Sequence, residues 1–88
     1  MNYMSAIQKD KERCLTIAME ECAELVQAIS KAKRGKLDKA NLSEEIADVL
    51  ICIDWVKDIF DVTDKDIETW LDIKKHRVTT NIKGNMFY

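Results

Sequence analysis

The chain has no proline, two glycines, one histidine and no apolar run near the ~18 residues a membrane span needs. Missing breakers exclude a fold stitched from tight hairpins and suit long helices. Three cysteines (Cys14, Cys22, Cys52) are an odd number with no CxxC or Cys/His spacing, which disfavours a redox role and a zinc site. They are expected to be reduced and to pack as small buried hydrophobes in a cytoplasmic protein. No charge excess exists either: 14 Lys and Arg face 16 Asp and Glu, net −2. That balance gives no pull toward a nucleic-acid polymer or an anionic membrane. The start, Met1–Arg13, is too polar for a signal peptide.

What the chain does have is 47% hydrophobic and 34% charged residues in 88 positions, a composition that folds. The length suits one domain, residues 1–88. Alone, such a domain hides only about 60–65% of its unfolded surface and is marginal. The apolar spacing follows 3 and 4 rather than 2, so the expected fold is all-α, with three helices. The first is expected from Ser5, where Ser5 and Gln8 form a capping box, to Lys33, with Gly35 as its left-handed stop. The second is expected from Asn41 to Phe60. The third follows the capping box Thr63–Asp66 and runs to Lys83, closed by Gly84.

A short echo links the first two helices. Glu20–Ile29 aligns with Glu44–Ile53, each opening with two acids and carrying a third acid four positions after the first. On a helical wheel, with zero at the middle of the apolar stripe, the first helix has an apolar arc from about −80° to +100°. It comprises Leu15, Ile17, Ala18, Cys22, Leu25, Val26, Ala28, Ile29 and Ala32. Glu21 falls at about −40°, inside it, and Glu24 at about −100°, at its edge. Leu42, Ile46, Val49, Ile53, Val56 and Phe60 centre the second arc, which Cys52, Trp55 and Ile59 extend. There Glu45 and Asp48 take the same two offsets. Glu20, Gln27, Glu44, Asp54, Asp58 and Ile51 point away.

One Glu-x-x-Glu pair is ordinarily a solvated face. Two pairs, matched in orientation inside apolar arcs, are not. Burying carboxylates costs several kcal/mol unless a cation or proton compensates, and four converging acids repel one another. A hard divalent ion, Mg2+ or Mn2+, relieves that conflict. Without His on either stripe, a di-iron carboxylate bundle is disfavoured. Glu21, Glu24, Glu45 and Asp48 are therefore the expected metal ligands, with Glu21 also placed to orient or deprotonate a water.

In the third helix Ile67, Leu71, Val78 and Ile82 form the stripe, with Trp70 at one edge. Lys74 (about −20°), Asn81 (about −40°) and Arg77 (about −80°) share that inward side. Cations opposite an acid–metal cluster suit a polyphosphate; a snorkelling Lys74 and an Arg77 paired with an acid are the plainer alternative. Lys75 and His76 face outward. Trp55 fits core or subunit packing better than base stacking, and Phe87 and Tyr88 are unassigned.

Glu20-Glu21-x-x-Glu24 followed by Glu45-x-x-Asp48 resembles the signature of the MazG-like all-α nucleoside triphosphate pyrophosphohydrolases, over about Thr16 to Asn81. The resemblance implies a helical bundle completed by dimers or tetramers, with a four-helix-bundle-like core. It implies Mg2+-dependent cleavage of a nucleoside triphosphate between its α and β phosphates, giving monophosphate and pyrophosphate. It makes Glu21, Glu24, Glu45 and Asp48 metal ligands, matches Lys74 and Arg77 to the family's basic pair, and puts Asn81 at a substrate-contacting position. Many relatives carry a longer N-terminal segment that helps close over the base, which this chain is expected to lack. Two other readings stand beside this one. One is a non-enzymatic helical module whose acids pair with Lys74 and Arg77 across a subunit interface. The other is a dUTPase-like hydrolase restricted to one nucleotide.

Overall fold

A computed structural model describes residues 10–80, with side chains through Arg77, as three α-helices and no strand. Helix α1 is Lys11–Lys33, α2 is Lys39–Ile59 and α3 is Asp64–Thr80. Each start is set by a side chain that satisfies an orphan backbone donor. Asp10 caps α1 by accepting from the Arg13 N–H at 2.9 Å, with Glu12 in the first turn and Lys31 and Lys33 in the last, as the helix dipole favours. The helix thus begins at Lys11, not Ser5, and the Ser5–Gln8 box lies outside the described residues. Asp38 caps α2 by accepting from the Asn41 N–H at 3.0 Å, so this helix starts two residues before the expected Asn41. Lys39 and Ala40 tolerate helix, and an Asp was available one position earlier. The expected box at α3 is present. The Thr63 hydroxyl accepts from the Asp66 N–H at 3.1 Å, and the Asp66 carboxylate accepts from the Thr63 N–H at 2.9 Å. Those bonds hold the Asp66 carboxyl below its ordinary pKa. The expected end of this helix, at Lys83–Gly84, lies outside the described residues.

Both helix ends of the hairpin close the same way. Gly35 (φ 82°) follows α1, with Lys36 N–H donating to the Lys31 carbonyl at 2.9 Å and Gly35 N–H to Ala32 at 3.1 Å. Asp61 (φ 55°) follows α2, with Val62 N–H donating to Lys57 at 2.9 Å. Here a residue with a Cβ occupies the left-handed region, at a cost of about 1–2 kcal/mol.

Helices α1 and α2 form an antiparallel hairpin; among the described residues α3 meets it at its head, where Asp64 pairs with Lys57 and Ile67 shares an apolar cavity with side chains of both hairpin helices, and does not run along either. The core is small: Cys14, Ala18, Cys52 and Trp55, with Ile17, Ile51, Val56 and Ile59 packed on it. Seven-residue spacing runs along this inner seam, through 14, 18, 21, 25 and 28 on α1 and 45, 48, 52, 55 and 59 on α2. Cys and Ala at its centre let the two backbones approach closely.

Two expectations about α2 are corrected. Ile51 does not point away; it packs on the core. Ile46, Ile53 and Phe60, read as the middle of the stripe, are exposed. An arc of roughly 180° is wider than one neighbouring helix covers, and the hairpin uses only its negative side. The result is a slab of 46 × 36 × 17 Å, little more than one helix thick, with a radius of gyration of 15.8 Å against the roughly 12 Å of a compact domain this long. Among the described residues, no helix is long and apolar enough to cross a membrane.

Candidate metal centre

Three acids, Glu21, Glu45 and Asp48, interrupt the inner seam between two apolar stretches, with Glu24 at its exposed edge. Toward the interhelical loop lie Leu25, Ala28 and Leu42; toward the other end lie Ala18, Cys14, Cys52 and Trp55, all buried. Between them one oxygen each of Glu21, Glu24 and Glu45 lies within 4.8 Å of the others. Glu21, Glu45 and Asp48 are half-buried and Glu24 is exposed, giving the group a wet rim and a drier floor. Asp48 is not in that triad; it acts on Glu21 by charge and by a hydrogen bond.

The electrostatics of the group are one-sided. Burial comes first in pushing the Glu21 carboxyl up to about 7, followed by the charges of Glu24 and Asp48 and their hydrogen bonds, which favour the protonated form. Burial likewise raises Glu45, helped by Glu24, Asp48 and Glu44. Among the described residues, every charged group that shifts Glu21 or Glu45 is another acid. Oε2 of Glu21 and Oε2 of Glu45 are sealed from solvent and, among the described residues, find no hydrogen-bond partner. Buried acceptors left without donors cost free energy, and a hard cation coordinated by carboxylate oxygens removes that cost. The donor set fits such an ion.

The other expected site residues lie elsewhere. Lys74 and Arg77 are half-buried on α3, and Lys74 lines an open groove of about 410 Å3 with Val62, Asp66, Ile67, Trp70 and Leu71. Both cations lie on α3, which among the described residues meets the hairpin at its head and does not run along it. Asn81 lies outside the described residues. Trp55 is 4% exposed and serves the core. Glu20, Gln27, Glu44, Asp54, Asp58, Lys75 and His76 are exposed, as expected.

The thiols divide. Cys14 and Cys52 are buried hydrophobes, but Cys22, expected inside, is exposed. Burial first, then Glu21, Cys22, Asp48 and Cys14, raises the Cys52 thiol, so it stays protonated beside the acids. The sequence reading missed that Cys52 packs directly below the acid group. The signal was the continuation of Glu45 and Asp48 by seven-residue steps to Cys52 and Trp55.

The family model of the MazG nucleotide pyrophosphohydrolase domain matches residues 9–68, more than half of the chain. The chain belongs to this family. No curated protein and no solved structure gives a match. The MazG match includes both acid pairs, Glu21 with Glu24 and Glu45 with Asp48, and ends before Lys74, Arg77 and Asn81. Family membership thus bears on the acids and says nothing of the cations on α3. The described helices agree with the helical fold of a MazG domain.

Proposed function

We propose that this MazG domain is a cytoplasmic Mg2+-dependent nucleoside triphosphate pyrophosphohydrolase. It cleaves a ribo- or deoxyribonucleoside triphosphate at the α–β phosphate bridge, consuming one water and releasing nucleoside monophosphate and pyrophosphate. The observation that carries this reading is the triad Glu21, Glu24 and Glu45, with two buried oxygens that lack partners in a chain matched by the MazG family model. Glu21, Glu24 and Glu45 would hold the ion, with Asp48 alongside. When bound, Mg2+ supplies charge neutralisation on the phosphates and lowers the pKa of a water; Mn2+ suits the same oxygens.

The chain's own residues do the rest. Exposed Glu24 gives the ion and its phosphates a way in, while Glu21 and Glu45 hold their oxygens where the seam excludes water. Glu21 orients the attacking water and takes its proton. Lys74 and Arg77, once brought to the phosphates, stabilise the charge that develops there, and Asn81 contacts substrate. A panel of canonical and modified nucleoside triphosphates, read by pyrophosphate release with Mg2+, tests the reaction. Release that needs Mg2+ and is lost in Glu21→Gln supports it; no release from any nucleotide, or a parental rate in Glu21→Gln, overturns it. Thermal melts read the ion separately. At ten times its Kd, an ion bound only to the folded state adds about 1.4 kcal/mol, a midpoint rise of roughly 6–11 °C in a domain this small.

A further inference from the structure

The acid group is flanked differently on its two sides, and the difference falls at matched positions. Side chains seven residues apart on a helix share a face, about 10 Å from each other along the axis. Seven residues before Glu24 stands Ile17, and seven after Asp48 stands Trp55; both pack in the core. In the other direction, toward the loop that joins the hairpin, Lys31 follows Glu24 by the same step and Asn41 precedes Asp48 by it. The acids thus have an apolar wall on one side and two hydrogen-bond donors on the other. Lys31 is exposed and, among the described residues, makes no ion pair. Asn41 is half-buried, four residues before Glu45; its backbone N–H is taken by Asp38, which leaves the side-chain amide for another partner.

We propose that Lys31 and Asn41 hold the phosphates of the substrate that the metal ion does not reach. The inference rests on the pyrophosphohydrolase reading above and adds to it two residues of the hairpin that carries the acids. A nucleoside triphosphate brings several negative charges to a group that is itself acidic. A bound Mg2+ offsets part of that charge, and the remainder calls for cations and N–H donors.

Loopward of Glu24, α1 carries Lys31 and Lys33 in its last turn. Lys33 is turned about 200° from Lys31, which leaves Lys31 as the one on the Glu24 face. The gap from Glu24 to Lys31 is one that the four-carbon stem of the lysine and a chain of phosphates close between them. On the opposite side Ile17 has no donor and Trp55 is 4% exposed. The phosphate chain therefore runs from the acids toward the loop.

The probe is inorganic pyrophosphate in millimolar Mg2+, titrated calorimetrically into the intact protein. The parent is expected to bind it, and Lys31→Ala to bind it about tenfold more weakly, the value of one charge-assisted hydrogen bond. Lys31→Arg should recover most of that affinity, Asn41→Ala should lose about threefold, and Lys33→Ala should stay close to the parent. The rise in melting temperature given by Mg2+ alone should be the same in Lys31→Ala as in the parent, since the acids are untouched. A parent that does not bind pyrophosphate, a Lys31→Ala variant that binds as well as the parent, or equal losses in Lys31→Ala and Lys33→Ala overturns the proposal. So does a Lys31→Ala variant that no longer responds to Mg2+, because Lys31 then acts through the acids or the fold. Pyrophosphate held through Lys31 in a protein that hydrolyses no nucleotide supports this assignment and removes only the reaction.

Discussion

Helices α1 and α2 each carry two apolar seams, and the two differ in what they are made of. The inner one is narrow and mixed: Cys14, Ala18, Ala28, Cys52 and Trp55 with three acids among them and Glu24 at the edge. The outer one is uniform and bulky: Met19, Val26, Ile29, Ile46, Ile53 and Phe60, all exposed in the single chain. The larger aliphatic side chains thus lie outside the fold of one chain, and the seam that closes it is built mostly from small residues. Small residues draw the backbones together, and close backbones bring carboxylates from two helices within 4.8 Å. In this hairpin, the bulky aliphatic side chains and the closely approaching carboxylates lie on different sides of the same helices.

Substitutions can break that division or sharpen it. The largest effect is expected inside: Trp55→Ala empties the main aromatic of a small core and should cost about 3–5 kcal/mol, read by urea unfolding, whereas loss of stability below about 1 kcal/mol would mean that the inner seam does not hold the hairpin. Glu21→Gln is next, with at least a hundredfold loss of pyrophosphate release under the proposed function. Its stability should move the other way. In metal-free protein at pH 8 the variant should melt above the parent, because a charged carboxylate facing Glu24 and Asp48 has been removed.

The pH dependence has the same origin. A carboxyl raised from 4.5 to about 7 in the fold binds a proton that the unfolded chain releases earlier. Metal-free stability should therefore be highest near and below pH 4.5 as far as Glu21 is concerned, fall as pH rises to about 7, and level off above. Glu45, raised in the same direction, adds to the slope. Millimolar Mg2+ should flatten that fall, and Glu21→Gln should remove much of it; melts from pH 5 to 8 show both. A smaller gain is expected at the helix end. Asp61→Gly relieves a left-handed backbone, offset by glycine's greater freedom when unfolded, for a net stabilisation of about 0.5–1 kcal/mol.

Much of this was legible in the residues. Helix number and type followed from spacing, and the Thr63–Asp66 box and Gly35 stop stand where their chemistry put them. The inward lean of Glu21 and Glu45 followed from the wheel. What the wheel could not decide is which edge of a half-circle of apolar residues faces its own chain. Ile51 and Ile53 were read the wrong way round for that reason, and Cys22 was put inside. Helix starts depend on a choice among several capping side chains: Asp10 and Asp38 hold the described starts of α1 and α2, and Asn41 does not. Where Lys74 and Arg77 stand relative to the acids depends on how α3 sits against the hairpin, and helical periodicity carries no information about how one helix sits relative to another.

The elbow between α2 and α3 follows from Lys57. Its stem lines the apolar cavity, and its ammonium group is paired with Asp64 at the head of α3 and lies 3.9 Å from Asp54. Among the described residues α3 does not run along either hairpin helix, and this clamp joins Val62 and Ile67 in holding its head to the hairpin. Ionic strength weakens such a clamp and leaves greasy contacts alone. The arm carrying Lys74 and Arg77 should then swing more widely in molar salt than in dilute buffer, while the hairpin beside it keeps its shape.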